Sequence, residues 1–194
     1  MNNYIHITKM PITKKRLQTS LNPEVEKMLN QQVQLEDQSS QYYLSFASWC
    51  EREGYVKAAE FLYEHAEEER QHMLKFFKFI NAVGGHALAA EITPVPYEFE
   101  SLRQVFELVL EHEIKVTKAI NEIVDCCFQA KDFSTFQFLQ WFVAEQREEE
   151  ETARTILDAF DIIGEDSPQG MWMIDQEIGR IGAEGIDSDM GDQA

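Results

Sequence analysis

The chain has 194 residues, enough for one domain and too few for two of ordinary size. Its 17 Lys and Arg against 35 Asp and Glu leave a formal net charge of −18. That is the wrong sign for a protein that grips nucleic-acid phosphates and the right sign for one that gathers cations. A hydrophobic content of 44% supports a real core and excludes global disorder. Cys50, Cys126 and Cys127 do not make a disulfide framework; with two of them adjacent they read as reduced thiols of a cytoplasmic protein. No apolar run is long enough to span a bilayer, so neither a membrane nor a nucleic acid is expected as partner.

Residues 1–20 carry Lys9, Lys14, Lys15 and Arg16 with no apolar stretch behind them, and read as a loose basic arm rather than a secretory signal. The first helix opens at Asn22-Pro23-Glu24, an N-cap followed by proline at the first helical position, and runs to Gly54. The second runs from about Val56 to the Gly84-Gly85 stop. The third opens with the capping box Ser101-Leu102-Arg103-Gln104 and reaches about Ala130. Ser134-Thr135-Phe136-Gln137 is a second capping box, which is expected to start a fourth helix ending at Gly164. A short fifth helix begins at Ser167-Pro168, with Met171, Ile174, Ile178 and Ile181 at helical spacing. From Gly182 to residue 194 the Gly- and Asp-rich composition reads as a flexible acidic tail. The division is therefore an arm over 1–20, a domain over 21–181 and a tail over 182–194.

Two joints are only a few residues long and imply antiparallel neighbours. The segment from Gly84 to Glu100, with Pro94 and Pro96, is different. A helix of about 28 residues is about 42 Å long, and roughly 16 extended residues reach about 50 Å. This segment can run the length of a bundle and start the third helix at its far end. The expected fold is all-α: a four-helix bundle with one long crossover between helices 2 and 3, plus a short C-terminal helix.

The core-facing stripe of each helix, followed in steps of three and four, is apolar or small except at one level. There it carries Glu36 in the first helix, Glu69 with His72 one turn on in the second, Glu113 in the third, and Gln146 with Glu149 in the fourth. All lie near the middle of their helices, so they converge at one height whichever way the helices run. Several carboxylates in an apolar core either keep their protons or bind cations, because an unpaired buried charge costs several kcal/mol. Lys and Arg are absent from these stripes; Arg70 and Arg147 fall on other faces. Oxygen-rich ligands with one imidazole suit Fe or Mn better than a sulfur-rich structural Zn site, and two bridged ions balance the charge better than one. Glu69-x-x-His72 is half of the two-metal signature of such bundles. The fourth helix offers Gln146-x-x-Glu149 in place of a second copy, which implies one metal held by fewer or weaker ligands.

At these residues the sequence resembles the bacterial non-haem ferritins over about residues 21–181. The resemblance is carried by Leu35-Glu36-Asp37-Gln38-Ser39-Ser40-Gln41-Tyr42-Tyr43, by His65-Ala66-Glu67-Glu68-Glu69-Arg70-Gln71-His72-Met73, and by Phe138 to Glu150. It implies a ferroxidase centre with Glu36, Glu69 and His72 on a first iron, Glu69 bridging. It implies Glu113 and Glu149 on a second iron with Gln146 beside it. Tyr43 matches a tyrosine near the metals that can hydrogen-bond a ligand or give an electron. Glu68, Glu145, Glu148 and Glu149 match a third, outer iron site. The implied activity is oxidation of Fe(II) by dioxygen or hydrogen peroxide, with storage of the ferric mineral inside a homo-oligomeric shell of 24 subunits whose four-fold contacts the fifth helix lines. Phe136 and Leu139 stand where animal ferritins have an acidic pore, with Asp132 close by. Arg70 stands where bacterioferritins have a haem-ligating methionine, so no haem is expected.

Plainer readings stand beside these. His65 and His112 read as bystanders, since neither follows an acid by three residues on the stripe. Glu150 and Glu151 read as solvated, and Cys126-Cys127 as buried thiols. The alternatives to iron storage are a non-storing di-iron peroxidase or oxygenase of the same fold and a metal-free helical scaffold.

Overall fold

A computed structural model of the chain describes residues 18–89 and 91–189, with side chains through residue 183. Residues 1–17, most of the expected basic arm, and residues 190–194 lie outside the described residues. Five helices and no strands are found among the described residues: α1 (Pro23–Glu53), α2 (Val56–Ala82), α3 (Leu102–Ala130), α4 (Phe133–Ile163) and α5 (Pro168–Asp189).

Local chemistry explains most of the ends. The Asn22 side chain accepts from the N–H groups of Glu24 and Val25 at the start of α1, and Pro23 sits where no N–H is needed. Gly54, at φ 92°, turns the chain into α2. Tyr55 gives α2 no side-chain cap. Asp175 on α5 does so instead, accepting from the N–H of Ala58 at 2.9 Å and of Lys57 at 3.3 Å. Ser101 caps α3 by accepting from Gln104 N–H, and Gln104 Oε1 accepts in return from Glu100 N–H.

Two boundaries differ from the sequence expectation. The helix α4 begins at Phe133, capped by Asp132 rather than by Ser134. Asp132 accepts from Thr135 N–H at 3.1 Å and from the Thr135 hydroxyl at 2.8 Å. The reason is a tight reversal at Lys131, a non-glycine residue at φ 57°, which lets the helix resume at once. At the other end α5 does not stop near Ile181 but continues to Asp189. Gly182 is a contact residue there, not a breaker: a Cβ on it would stand 2.8 Å from Phe61 Cδ2.

The crossover is strapped along α1. His86 N–H donates to Glu26 Oε1 at 2.7 Å, Leu88 N–H to Asn30 Oδ1 at 2.8 Å and Thr93 N–H to Gln38 Oε1 at 2.9 Å. Ser45 donates to the Pro96 carbonyl, and Arg52 pairs with Glu98 through two bonds of 2.7 and 2.8 Å. Its partners advance from one end of α1 to the other, as a crossover that reverses ends requires.

The core is two apolar layers with a gap between them. One layer packs Phe46, Phe61, Leu62, Phe106, Ile156 and Phe160 under Ile174 and Ile178 of α5. The other packs Leu29, Val33, Phe76, Ile80, Ile120, Leu139 and Phe142. Each such side chain contributes roughly 1.5–3 kcal/mol by leaving water. Cys50 and Cys127 are buried, and burial pushes both thiols up to about 12, which keeps them protonated. Cys126 is half-buried rather than buried. Phe136 is half-buried and Leu139 fully buried within the single chain. The neighbouring Asp132 is committed to capping α4.

Candidate metal centre

The gap between the apolar layers is filled by the polar side chains that interrupt the four helical stripes. Glu36, Glu69, His72, Glu113, Gln146 and Glu149 are all buried, as are Tyr43 and Glu145. They meet because each sits near the middle of a long helix, and small groups let the helices close around them. Ser40, for example, donates to the Ala66 carbonyl at 2.7 Å and ties α1 to α2 at this level.

On the α1–α2 side, Glu36, Glu69 and His72 bring one ligand atom each to within 4.8 Å of one another. His72 Nδ1 faces Glu69 Oε2 at 3.5 Å, while its Nε2 faces Glu68 Oε1 at 4.0 Å. Glu36 Oε1 accepts from Gln32 Nε2 at 2.7 Å. Glu36 Oε2 and Glu69 Oε2 are buried and reached by no other protein donor, and a proton kept on either acid lets the two carboxyl groups hydrogen-bond to each other. An orphaned buried acceptor costs about 1–3 kcal/mol, and more if charged. Two orphaned carboxylate oxygens facing an imidazole fit a divalent cation.

On the α3–α4 side the arrangement is closed by protein groups. Tyr43 donates to Glu113 Oε1 at 2.5 Å, and Gln146 Nε2 donates to Glu113 Oε2 at 3.0 Å. Glu113 belongs to none of the close ligand groupings among the described residues. Glu149 does, with His65 and Glu68, and a third grouping joins Glu68, His72 and Glu145. Glu148 does not: it is exposed and paired with Arg147 at 2.8 Å.

Burial sets the proton chemistry. It raises the carboxyls of Glu36, Glu69 and Glu149 well above the ordinary range, and neighbouring carboxylates raise them further. For Glu113 burial again dominates, opposed by the hydrogen bonds from Tyr43 and Gln146, and the carboxyl is pushed to about 7. The Tyr43 phenol is raised by burial and then by Glu113. Burial lowers the pKa of His65, which favours its neutral ring. A metal-free centre thus favours protons on its acids, and a bound cation replaces them.

Sequence reasoning passed over two residues here. Gln32 is buried and orients Glu36 from one turn before it. His65 was read as a bystander, yet its Nε2 lies 3.6 Å from Glu149 Oε2. The spacing His65-x-x-Glu68 is the reverse of Glu69-x-x-His72, and a search for both orders would have found it. His112, by contrast, is held by Ser39 at 2.6 Å and against the Tyr42 ring, outside every ligand grouping. Glu150 is half-buried rather than solvated, accepting from Thr117 of α3 at 2.7 Å. Trp141 is part-exposed, with its ring 5.3 Å from that of His72 and Lys75 over its face.

A bundle of four long helices, joined by one crossover and pinched around buried carboxylates and an imidazole, defines a class of helical metal-binding proteins. The ferritin-like domain model matches residues 26–163, and the chain belongs to the ferritin family. It is 43% identical over 161 residues to a probable bacterial non-heme ferritin-like protein of Haemophilus influenzae, covering 83% of this chain and 97% of that protein. It is 41% identical over 161 residues to a bacterial non-heme ferritin of Campylobacter jejuni, covering 83% and 96%. Among solved structures, an open-pore ferritin of Archaeoglobus fulgidus superposes with a TM-score of 0.79 at 37% identity, covering 82% of this chain and 97% of that one. No described helix is long and apolar enough to cross a membrane.

Proposed function

We propose that this protein oxidises Fe(II) at a two-iron centre and stores the ferric product inside a shell of 24 copies, in the cytoplasm. The observation that carries the reading is the pair of buried, unpartnered oxygens of Glu36 and Glu69 facing His72. Iron is the substrate and cargo. Glu36, Glu69 and His72 take the first ion, with Glu69 shared. Glu113 and Glu149 take the second, with Gln146 beside them. For that, Glu113 exchanges hydrogen bonds for the ion, and Tyr43 stays within reach as proton or electron donor. The fourth helix's lack of a second Glu-x-x-His leaves this ion more weakly held, which suits iron that is oxidised and passed on. Two Fe(II) give two electrons, enough to reduce one dioxygen to hydrogen peroxide or one hydrogen peroxide to two waters, with two protons taken up. Relatives named as non-heme ferritins support iron as the substrate, and ferritin structural neighbours support a homo-oligomer. Residues 21–181 form the working domain.

The test is aerobic addition of Fe(II) to purified protein, followed by sizing. A soluble ferric product held in a particle of about two dozen subunits is expected. A monomer or dimer that leaves iron to precipitate would reject the reading, and turnover without retained iron would favour the non-storing oxidase.

A further inference from the structure

A cleft of about 250 Å³ lies between α3 and α4, room for several water-sized molecules. Ile120 and Gln146 are buried at its floor, Thr117 is half-buried in its wall, and Asn121 and Val143 are exposed at its rim. We propose that this cleft is the passage by which hydrogen peroxide reaches the α3–α4 side of the centre, ending at the Gln146 amide. The inference rests on the two-iron reading, which supplies the Fe(II) that the peroxide oxidises.

Three observations carry it. First, the cleft meets the centre at Gln146. This side chain lines the cleft, yet it is buried and its Nε2 donates to Glu113 Oε2 at 3.0 Å. A molecule resting on that amide is one side chain away from Glu113. Second, the lining suits a small uncharged molecule that both gives and accepts hydrogen bonds. The Thr117 hydroxyl and the amides of Asn121 and Gln146 offer both functions, with Ile120 and Val143 between them. Third, the cleft has little to draw a metal ion. Glu150, the carboxylate in its wall, accepts from Thr117 at 2.7 Å and is paired with Arg154, and Arg147 at the rim is paired with Glu148. Among the described residues, none that lines the cleft belongs to a close ligand grouping.

The arrangement separates the two reactants. Fe(II) is a dication drawn to the carboxylates and imidazoles gathered elsewhere around the waist, whereas hydrogen peroxide is neutral and needs only hydrogen-bonding stops. At the centre two Fe(II) give one electron each, the O–O bond breaks, and two protons from solvent complete two waters. Water is small and neutral as well, and the same cleft lets it leave.

Peroxide kinetics on the intact, full-length protein test this, with Fe(II) held fixed, dioxygen excluded and hydrogen peroxide varied. Val143→Trp and Asn121→Trp each place a large ring at an exposed rim position, so folding and anaerobic Fe(II) binding should be unchanged. Each should raise the KM for hydrogen peroxide by roughly 5–10-fold, the equivalent of one lost hydrogen-bonding stop, with kcat at saturating peroxide unchanged. Val143→Ala should not raise it. An unchanged KM in both Trp variants, a fall in kcat with no change in KM, or oxidation of bound Fe(II) by dioxygen but not by peroxide would overturn the inference alone. No oxidation of Fe(II) by either oxidant in the unsubstituted protein would instead overturn the two-iron reading beneath it.

Discussion

The two sides of the polar waist share buried carboxylates and differ in what surrounds them. On the α1–α2 side, Glu36 and Glu69 each keep one buried oxygen without a partner, and His72 faces them. On the α3–α4 side, Tyr43 and Gln146 already satisfy both oxygens of Glu113. On the first side an ion must displace the protons that burial holds on Glu36 and Glu69, but it then satisfies oxygens that no other protein donor reaches. The second must give up hydrogen bonds before it gains a metal. Under the two-iron proposal this difference, together with His72 on the first side, predicts a first seat that fills before the second.

The largest expected effect comes from removing Glu69, the carboxylate that the proposed centre would share between its two ions. Glu69→Ala should slow the fast phase of Fe(II) oxidation by roughly 100-fold or more, beyond what loss of an outer-shell partner does, while assembly survives. Stopped-flow absorbance with a sizing control checks this; an unchanged fast phase would erase the distinction between the sides.

Next comes pH. The Glu113 carboxyl is raised from the ordinary 4.5 to about 7, so the folded chain holds this proton more tightly than the unfolded chain. The contribution of this group to the stability of the metal-free protein is therefore fully present below pH 4.5 and is lost as pH rises through 7, a loss of about 3 kcal/mol. The raised carboxyls of Glu36, Glu69 and Glu149 act in the same direction. Calorimetry of chelated protein at pH 5 and pH 7.5 should give a higher Tm at pH 5. Metal binding needs the deprotonated acids, so loading should shrink or reverse that difference.

A smaller effect separates the sides more sharply. Tyr43→Phe leaves Glu113 Oε1 without its donor, which should cost the metal-free protein about 1–3 kcal/mol. Loading with Zn(II) should recover most of that loss, because the freed oxygen then faces an ion. Equal Tm losses with and without metal would show that Glu113 does not turn toward one.

Smallest is a change remote from the waist. Lys131 holds φ 57°, and glycine there relieves a left-handed penalty of roughly 1–2 kcal/mol while freeing the unfolded chain by about 0.4–1 kcal/mol, so a small net stabilisation is expected in denaturant unfolding. Oxidation should not change, since the α3–α4 turn lies at the end of the bundle.

The helices, the crossover and the convergence of Glu36, Glu69, His72, Glu113 and Glu149 could all be read from periodicity, caps and chain length. These depend on spacing along one helix and on midpoints meeting, and both are written in the sequence. What could not be read depends on contacts between elements. Asp175 caps a helix more than a hundred residues earlier, at Ala58, which no local pattern encodes. Gly182 looked like a stop because the facing Phe61 was invisible. Ser134 had the better capping box, yet Lys131 reversed the chain tightly enough for Asp132 to cap first. His65 escaped because its approach to Glu149 depends on a rotamer set by the Phe61 carbonyl and the rings of Phe61 and Tyr43.

The most direct measurement is diffraction at the iron edge from crystals soaked anaerobically with ferrous salt at low, then high, concentration. Iron should appear first among Glu36, Glu69 and His72, and only later beside Glu113 and Glu149, with the Tyr43–Glu113 distance lengthening as it does. Iron entering the Glu113 side first, or crystals with no iron between these side chains, would contradict the difference between the two sides.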